Sequence, residues 1–141
     1  MIPKLPWRFM VWMALPGAII GALVVLGLFG PGKERFVWLP YTAICAIVIA
    51  RRQDESVVLV GAVTGFLSGA FSTFLQGIFV DTMLANNAWM AERFAAQPEG
   101  FSVRYFVLML VPFIGLASAA VLAISTWLVG RALRRSGGDG A

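Results

Sequence analysis

The sequence predicts an all-α integral membrane bundle of four transmembrane helices, with a short extra helix in the third, non-cytoplasmic loop. Its residues are 60% hydrophobic and 13% charged, whereas soluble domains carry about 25% charged residues. The charges form short islands that separate four uncharged runs of 15 to 26 residues, and about 20 apolar residues cross a bilayer. Residues 1–130 therefore form one membrane domain, with spans at about 9–30, 35–51, 56–80 and 104–130, followed by a basic and then glycine-rich cytoplasmic tail at 131–141.

The first span follows an interfacial anchor, because Lys4 and Arg8 lie beside Trp7. Pro16 should kink this helix, which membrane helices tolerate. A cleaved signal peptide is the alternative, but its apolar region is usually only about 7–15 residues long. We therefore expect a retained span.

The second run is short, since 15 residues of helix cover about 22 Å. Arg35 and Arg51 at its ends can extend toward the interfaces. Basic residues decide whether it crosses, because they favour the cytoplasmic side. Four spans put seven Lys/Arg on the side of the termini (Lys4, Arg8, Arg51, Arg52, Arg131, Arg134, Arg135) and four on the other (Lys33, Arg35, Arg93, Arg104). Both termini are thus expected in the cytoplasm of a bacterium, at its inner membrane.

The third span carries two neighbouring rows of small and polar residues. A glycine ridge recurs every four residues, at Gly61, Gly65, Gly69, Thr73 and Gly77. A polar track lies one step earlier, at Thr64, Ser68, Ser72 and Gln76. Both rows share one broad helix face, and bulky residues on the opposite face should meet lipid: Val60, Val63, Leu67, Phe71, Phe74 and Ile78.

Small residues let helix backbones approach closely in lipid. The glycine ridge could therefore pack inside the bundle, or form a seam for self-association or another membrane protein. In either case Ala should be tolerated better than Ile at Gly65 or Gly69. The polar track could instead line a passive pore. A proton-coupled transporter is disfavoured, because no span contains an ionisable residue at depth.

The third loop should contain a helix over 82–97, which has no Gly or Pro before Pro98. That helix could lie at the membrane interface or continue the third span. The fourth span contains Pro112 and a further small-residue row at Gly115, Ala119 and Ala123. Residues 131–141 should be disordered.

The sequence lacks the residues that several classes of function require. No Lys/Arg run exceeds two residues, so we expect no nucleic-acid partner. The chain has no histidine and one cysteine, Cys45, and we expect no cofactor and no metal site. Ser118, Ser125 and Thr126 have no histidine or intramembrane lysine to activate them, so no catalytic residue is assigned and the chain is not expected to be an enzyme.

The layout resembles a family of uncharacterised bacterial four-span proteins, a domain of unknown function. The similarity covers about two-thirds of the chain: the short second span with its charged turn at 51–55, the glycine-bearing third span at 61–77, and the helical loop at 81–96. Phe79, Asp81 and Glu92 loosely match the aromatic and acidic residues of that family's loop. The resemblance implies a four-span fold and no catalytic residues.

The sequence thus favours a non-enzymatic membrane protein that packs against itself or another membrane protein, as an accessory or assembly subunit. The alternative is a small transporter or channel that uses the polar track. The surroundings of the track discriminate between them, because a pore requires it to face a cavity.

Overall fold

The computed structural model describes residues 6–52 and 56–136. The described residues form helices and connecting turns, and no strand occurs among them. In chain order the helices are α1 (Trp7–Val25), α2 (Arg35–Ala50), α3 (Val57–Ile78), α4 (Val80–Asn86), α5 (Ala88–Ala95) and α6 (Val103–Ser136).

Three helices, α1, α3 and α6, are long and apolar enough to cross a membrane. Helix α2 is apolar but has only 16 residues, or about 24 Å of helix. The all-helical class is therefore confirmed for the described residues, and the three long apolar helices fit the predicted membrane character. The count of four spans stays a prediction.

Helix α1 ends at Val25, earlier than the boundary near residue 30 that its apolar composition predicted. Gly27 has φ +72°, a conformation that glycine adopts without steric cost. The amide of Gly27 bonds to Val24 O at 3.0 Å and that of Leu28 to Leu23 O at 3.1 Å, which is the glycine-terminated Schellman motif. This local geometry ends the helix while the chain remains apolar.

The third loop contains two short helices where the sequence predicted one. The break is at Asn87, whose φ of −126° and ψ of 81° are not helical. Asn87 and Asn86 bond instead to the last carbonyls of α1: Asn87 Nδ2 donates to Val24 O at 3.0 Å and Asn86 Nδ2 to Val25 O at 3.1 Å. The α4–α5 junction is thereby attached to the end of α1.

Helix α6 is 34 residues long and continues to Ser136. The prediction that disorder begins at residue 131 is therefore wrong for residues 131–136, and residues 137–141 lie outside the described chain. At about 51 Å, α6 is longer than a hydrocarbon core of about 30 Å. Helix α6 continues through Pro112 without a break.

Helix α3 is the centre of the bundle and packs mainly against α6 on one side and α1 on the other, whereas α2 packs mainly against α6. One hydrophobic core joins α1, α2, α3 and α6, and it consists of Met10, Cys45, Ala46, Ile49, Val60 and Leu122. Val60 was predicted to face lipid but is only 2% exposed, because residues of α1, α2 and α6 cover it. Phe74 and Ile78, from the same row, are exposed.

Candidate functional site

The glycine ridge of α3 lies against α6. A methyl group built on Gly61 would come within 2.7 Å of Thr126 Oγ1, and one on Gly69 within 2.9 Å of Ile114 O. On Gly65 it would lie within 3.0 Å of Ala119 Cα and closer still to the carbonyl of Ser118. Real Cβ atoms essentially never come under 3.0 Å from such atoms, so these glycines permit the close approach of the two helices.

The remaining ridge residues and the small-residue row of α6 differ in their neighbours and in their burial. A Cβ built on Gly77 would meet the side chain of Leu108, and a Cβ built on Gly115 would lie 2.9 Å from the Phe66 ring. Thr73 is buried and borders a cavity described below. Ala123 is half-buried.

A second close seam joins α1 to α3 through Gly17 and Gly21. A Cβ on Gly17 would lie 2.7 Å from Ser68 Cα, and one on Gly21 would lie 2.7 Å from Ser72 Cα. Sequence reasoning missed this seam, although the four-residue spacing of the two glycines is the usual signal for close helix packing.

The polar track therefore faces α1, but part of it also meets α2. Ser68 Oγ donates to Thr64 O at 2.8 Å and lies 2.5 Å from the Tyr41 hydroxyl. Tyr41 also donates to Met13 O at 2.7 Å. This hydroxyl junction ties α1, α2 and α3 together at one level of the bundle.

The other track residues are less well satisfied. Gln76 Nε2 bonds only to Ser72 Oγ, at 3.3 Å, among the hydrogen bonds of the described residues. The Thr64 side chain is fully buried, and its Oγ1 has no hydrogen-bond partner within the described part of the chain. A fully buried hydroxyl without a partner costs about 1–3 kcal/mol, so Thr64 stabilises the bundle less than its burial suggests.

A cavity of about 750 Å³ opens beside the polar track. Residues of α2, α3, α5 and α6, with Met83 of α4, line it, and it is partly open to the surroundings. Ser68, Ser72 and Gln76 of the track contribute to its wall, as do Gly65 and Thr73 of the glycine ridge. The track thus borders both a helix seam and an open space.

The two halves of α2 differ in their surroundings. The C-terminal half of α2 is packed, with Cys45, Ala46, Ile49 and Ala50 buried, while Phe36 and Leu39 in its first half are exposed. The buried residues of α2 all lie in the C-terminal half, whereas Trp38, Tyr41 and Thr42 of the first half border the cavity together with α3 and α6. Helix α5 borders the cavity as well.

The cavity wall is mostly apolar. Its polar groups include Trp89 and Arg93 of α5, Gln97 just after that helix and Gln76 near the end of α3. The indole Nε1 of Trp89 is buried and has no hydrogen-bond partner among the described residues. Large apolar side chains and hydroxyls line the deeper part, down to Leu122 of α6.

Neither the cavity nor any other described part of the chain groups three His, Cys, Asp or Glu side chains in a way that could hold a metal ion. The cavity instead has the lining of a small-molecule site, because such sites are mostly apolar with a few placed polar groups. Sequence reasoning missed the role of Arg93 in its wall, since it used that residue only in the count of Lys and Arg.

Comparison of the chain with protein-family models, with curated proteins and with solved structures found no match. The resemblance to a four-span family therefore stays a prediction.

Proposed function

We propose that the chain is a four-span protein of the bacterial cytoplasmic membrane, with α2 as the short second span and both ends in the cytoplasm. The ends of α2 favour crossing, because Arg35 begins the helix and Arg51 follows it, and arginine side chains can reach an interface from within the bilayer. The seven-to-four division of Lys/Arg gives the orientation. Helices α4 and α5 then lie on the non-cytoplasmic side.

Reporter fusions test this topology. A fusion at Gly138 should report the cytoplasm and one within residues 92–100 the opposite compartment, because four spans precede Gly138 and three precede residues 92–100 when the N-terminus is cytoplasmic. A non-cytoplasmic signal at Gly138 would contradict both the number of spans and the orientation.

We infer that the function is non-enzymatic and consists of binding an apolar or amphipathic molecule in the cavity, as a small membrane transporter or lipid-binding protein does. The observation that carries this inference is the partly open cavity of about 750 Å³, which is within the range of about 300–1,000 Å³ of small-molecule sites. Three polar-track residues line it. This arrangement supports the transporter reading of the track over the assembly reading.

Blocking the cavity tests the inference. Ala117 lines the cavity and is exposed on α6, so Ala117→Trp should fill part of the space. We expect an environment-sensitive apolar dye to bind the wild type in a neutral detergent and to bind Ala117→Trp at least about tenfold more weakly, a loss of about 1.4 kcal/mol. Fluorescence titration measures this, with the melting temperature recorded for each variant.

The matched control is Ala120→Trp, because Ala120 is exposed on the same helix and is not among the residues that line the cavity. It should bind the dye as the wild type does. Equal binding by both variants would show that the dye occupies the outer surface, and no binding by the wild type would overturn the proposed function.

A second candidate is the accessory or assembly role, with a homo-oligomer or another membrane protein as partner. It is supported by α6, because only 17% of the most apolar 18-residue stretch of this helix is buried by the rest of the chain. The glycine ridge does not support it, since α6 already covers Gly61, Gly65 and Gly69. Purification in mild detergent tests it, because a stoichiometric membrane partner or a stable oligomer would favour this role.

A further inference from the structure

The polar and apolar groups of the cavity follow one another in a fixed order. Arg93, Gln97 and Gln76 lie at the end bordered by α5, and the wall continues along α6 from Phe106 to Leu122. This stretch of α6 spans about 24 Å at 1.5 Å per residue. The cavity therefore has one charged end and a mainly apolar wall with a few hydroxyls beyond it, as an acyl lipid has a headgroup followed by a chain.

The polar end carries a single charge, which is positive. Arg93 is the one charged residue among the described residues that line the cavity. It has no salt bridge within the described part of the chain, unlike Arg104, which pairs with Asp81 at 2.5 Å. An arginine guanidinium presents several donors in a planar fork that matches carboxylate and phosphate oxygens.

A second group at this end also lacks a partner. Trp89 lies one helical turn before Arg93 on α5 and lines the same cavity. Its indole N–H is buried without a hydrogen-bond acceptor among the described residues, and buried indole donors usually have one. The α5 end thus offers an exposed cation and a buried, unused donor, and an anionic group with several acceptor oxygens can bind both.

We propose that the cavity binds an anionic membrane lipid, with the headgroup at Arg93 and Trp89 and one acyl chain along α6 toward Leu122. The proposal rests on the proposed function and adds the ligand class. In the proposed topology α5 lies at the non-cytoplasmic interface, where headgroups of that leaflet lie, and the apolar wall runs into the hydrocarbon. The surrounding bilayer is the source, because the cavity is partly open and lipids are the most concentrated amphiphiles beside it.

Lipid retention tests the ligand class. Purified protein in neutral detergent would be exchanged into equal amounts of phosphatidylglycerol, which is anionic, and phosphatidylcholine, which is zwitterionic, with matched acyl chains. Native mass spectrometry would then count the lipid that stays bound. We expect about a tenfold preference for phosphatidylglycerol, because the choline ammonium of phosphatidylcholine offsets the attraction between its phosphate and the Arg93 guanidinium, whereas phosphatidylglycerol keeps a net negative charge.

Arg93→Gln should abolish this preference, with a larger loss of phosphatidylglycerol retention than of phosphatidylcholine retention. The control is Arg35→Gln, which removes a positive charge from the same predicted side of the membrane at a residue that does not line the cavity. That variant should keep the preference. The melting temperature of each variant shows whether it is folded, and Arg93→Lys should restore part of the preference if Arg93→Gln is unstable.

The outcomes separate this proposal from the proposed function. Equal retention of the two lipids, or the same preference in Arg93→Gln, would overturn the anionic class while dye binding in the cavity still stands. Failure to retain any lipid, together with failure to bind the dye, would overturn both. Displacement of phosphatidylglycerol by an equal concentration of palmitate would overturn the bilayer as the source and assign the site to free fatty acids.

Discussion

Replacing Gly65 by Ala is expected to lower the stability of the protein by about 1–3 kcal/mol, the usual cost of an overpacked core. The added methyl group would be within 3.0 Å of Ala119 Cα and nearer still to the carbonyl of Ser118. These are backbone atoms of α6, so they cannot rotate away as a flexible side chain can, and the two helices must separate. Gly65→Ile should be worse. Thermal unfolding in detergent measures the loss.

The same substitution at Gly130 is the matched control. Gly130 is also a buried helical glycine, but the atom nearest to a Cβ there is 3.9 Å away. Gly130→Ala should leave stability unchanged or raise it by about 0.5–1 kcal/mol, the helix preference of Ala over Gly. If Gly65→Ala proves as harmless as Gly130→Ala, the α3–α6 seam is not as close as described. A variant that keeps its monomer stability but loses a larger assembly would point to a partner at the ridge.

The apolar helices could be predicted because the thickness of a bilayer sets the length of uncharged helix that is needed to cross it. Helix ends could not be predicted as well, since they depend on local backbone geometry. Gly27 ends α1 through its positive φ while the sequence stays apolar to Gly30. Arg131 and Arg134 sit in a helix although they mark the end of the apolar run, because arginine is a good helix former.

The relation between the two rows of α3 was only half accessible from the sequence. A period of about four residues puts the glycine ridge and the polar track on one broad face. It cannot say that the ridge meets α6 while Ser68 and Ser72 meet α1, because the choice of neighbour depends on long-range packing. It also cannot say how near the helices come: a Cβ on Gly65 would already crowd the α6 backbone, so Ala should be costly there, although less costly than Ile.

The cavity was beyond sequence reasoning for a similar reason. It depends on how the first half of α2 and helix α5 lie beside α3 and α6. Neither follows from the hydrophobic pattern of either helix. What the sequence does contain is the pair Asn86-Asn87, which fixes α5 through contacts with residues more than 60 positions earlier.

Replacing Asn87 by Leu is expected to destabilise this junction. The Asn87 side chain is 3% exposed, and its Nδ2 donates to Val24 O at 3.0 Å and to Met83 O at 2.8 Å. Leucine has a similar size but no donor, so both bonds are lost in a place that excludes water. Removing one partner of a buried hydrogen bond costs about 1–3 kcal/mol.

Because Asn87 attaches the α4–α5 junction to α1, the loss should appear first in α5. Backbone amides of α5 should exchange with solvent about tenfold faster or more, since 1.4 kcal/mol is a factor of ten, while amides in the middle of α3 should change less. Asn86→Leu is the control: Asn86 is exposed and makes one bond, at 3.1 Å to Val25 O. Water can replace that bond, so the change should stay within about 0.5 kcal/mol. Since α5 carries Arg93 and Trp89, Asn87→Leu should also weaken lipid retention, and Asn86→Leu should not. Unchanged exchange in α5 of Asn87→Leu would mean that contacts other than these hydrogen bonds hold the α5 end of the cavity in place.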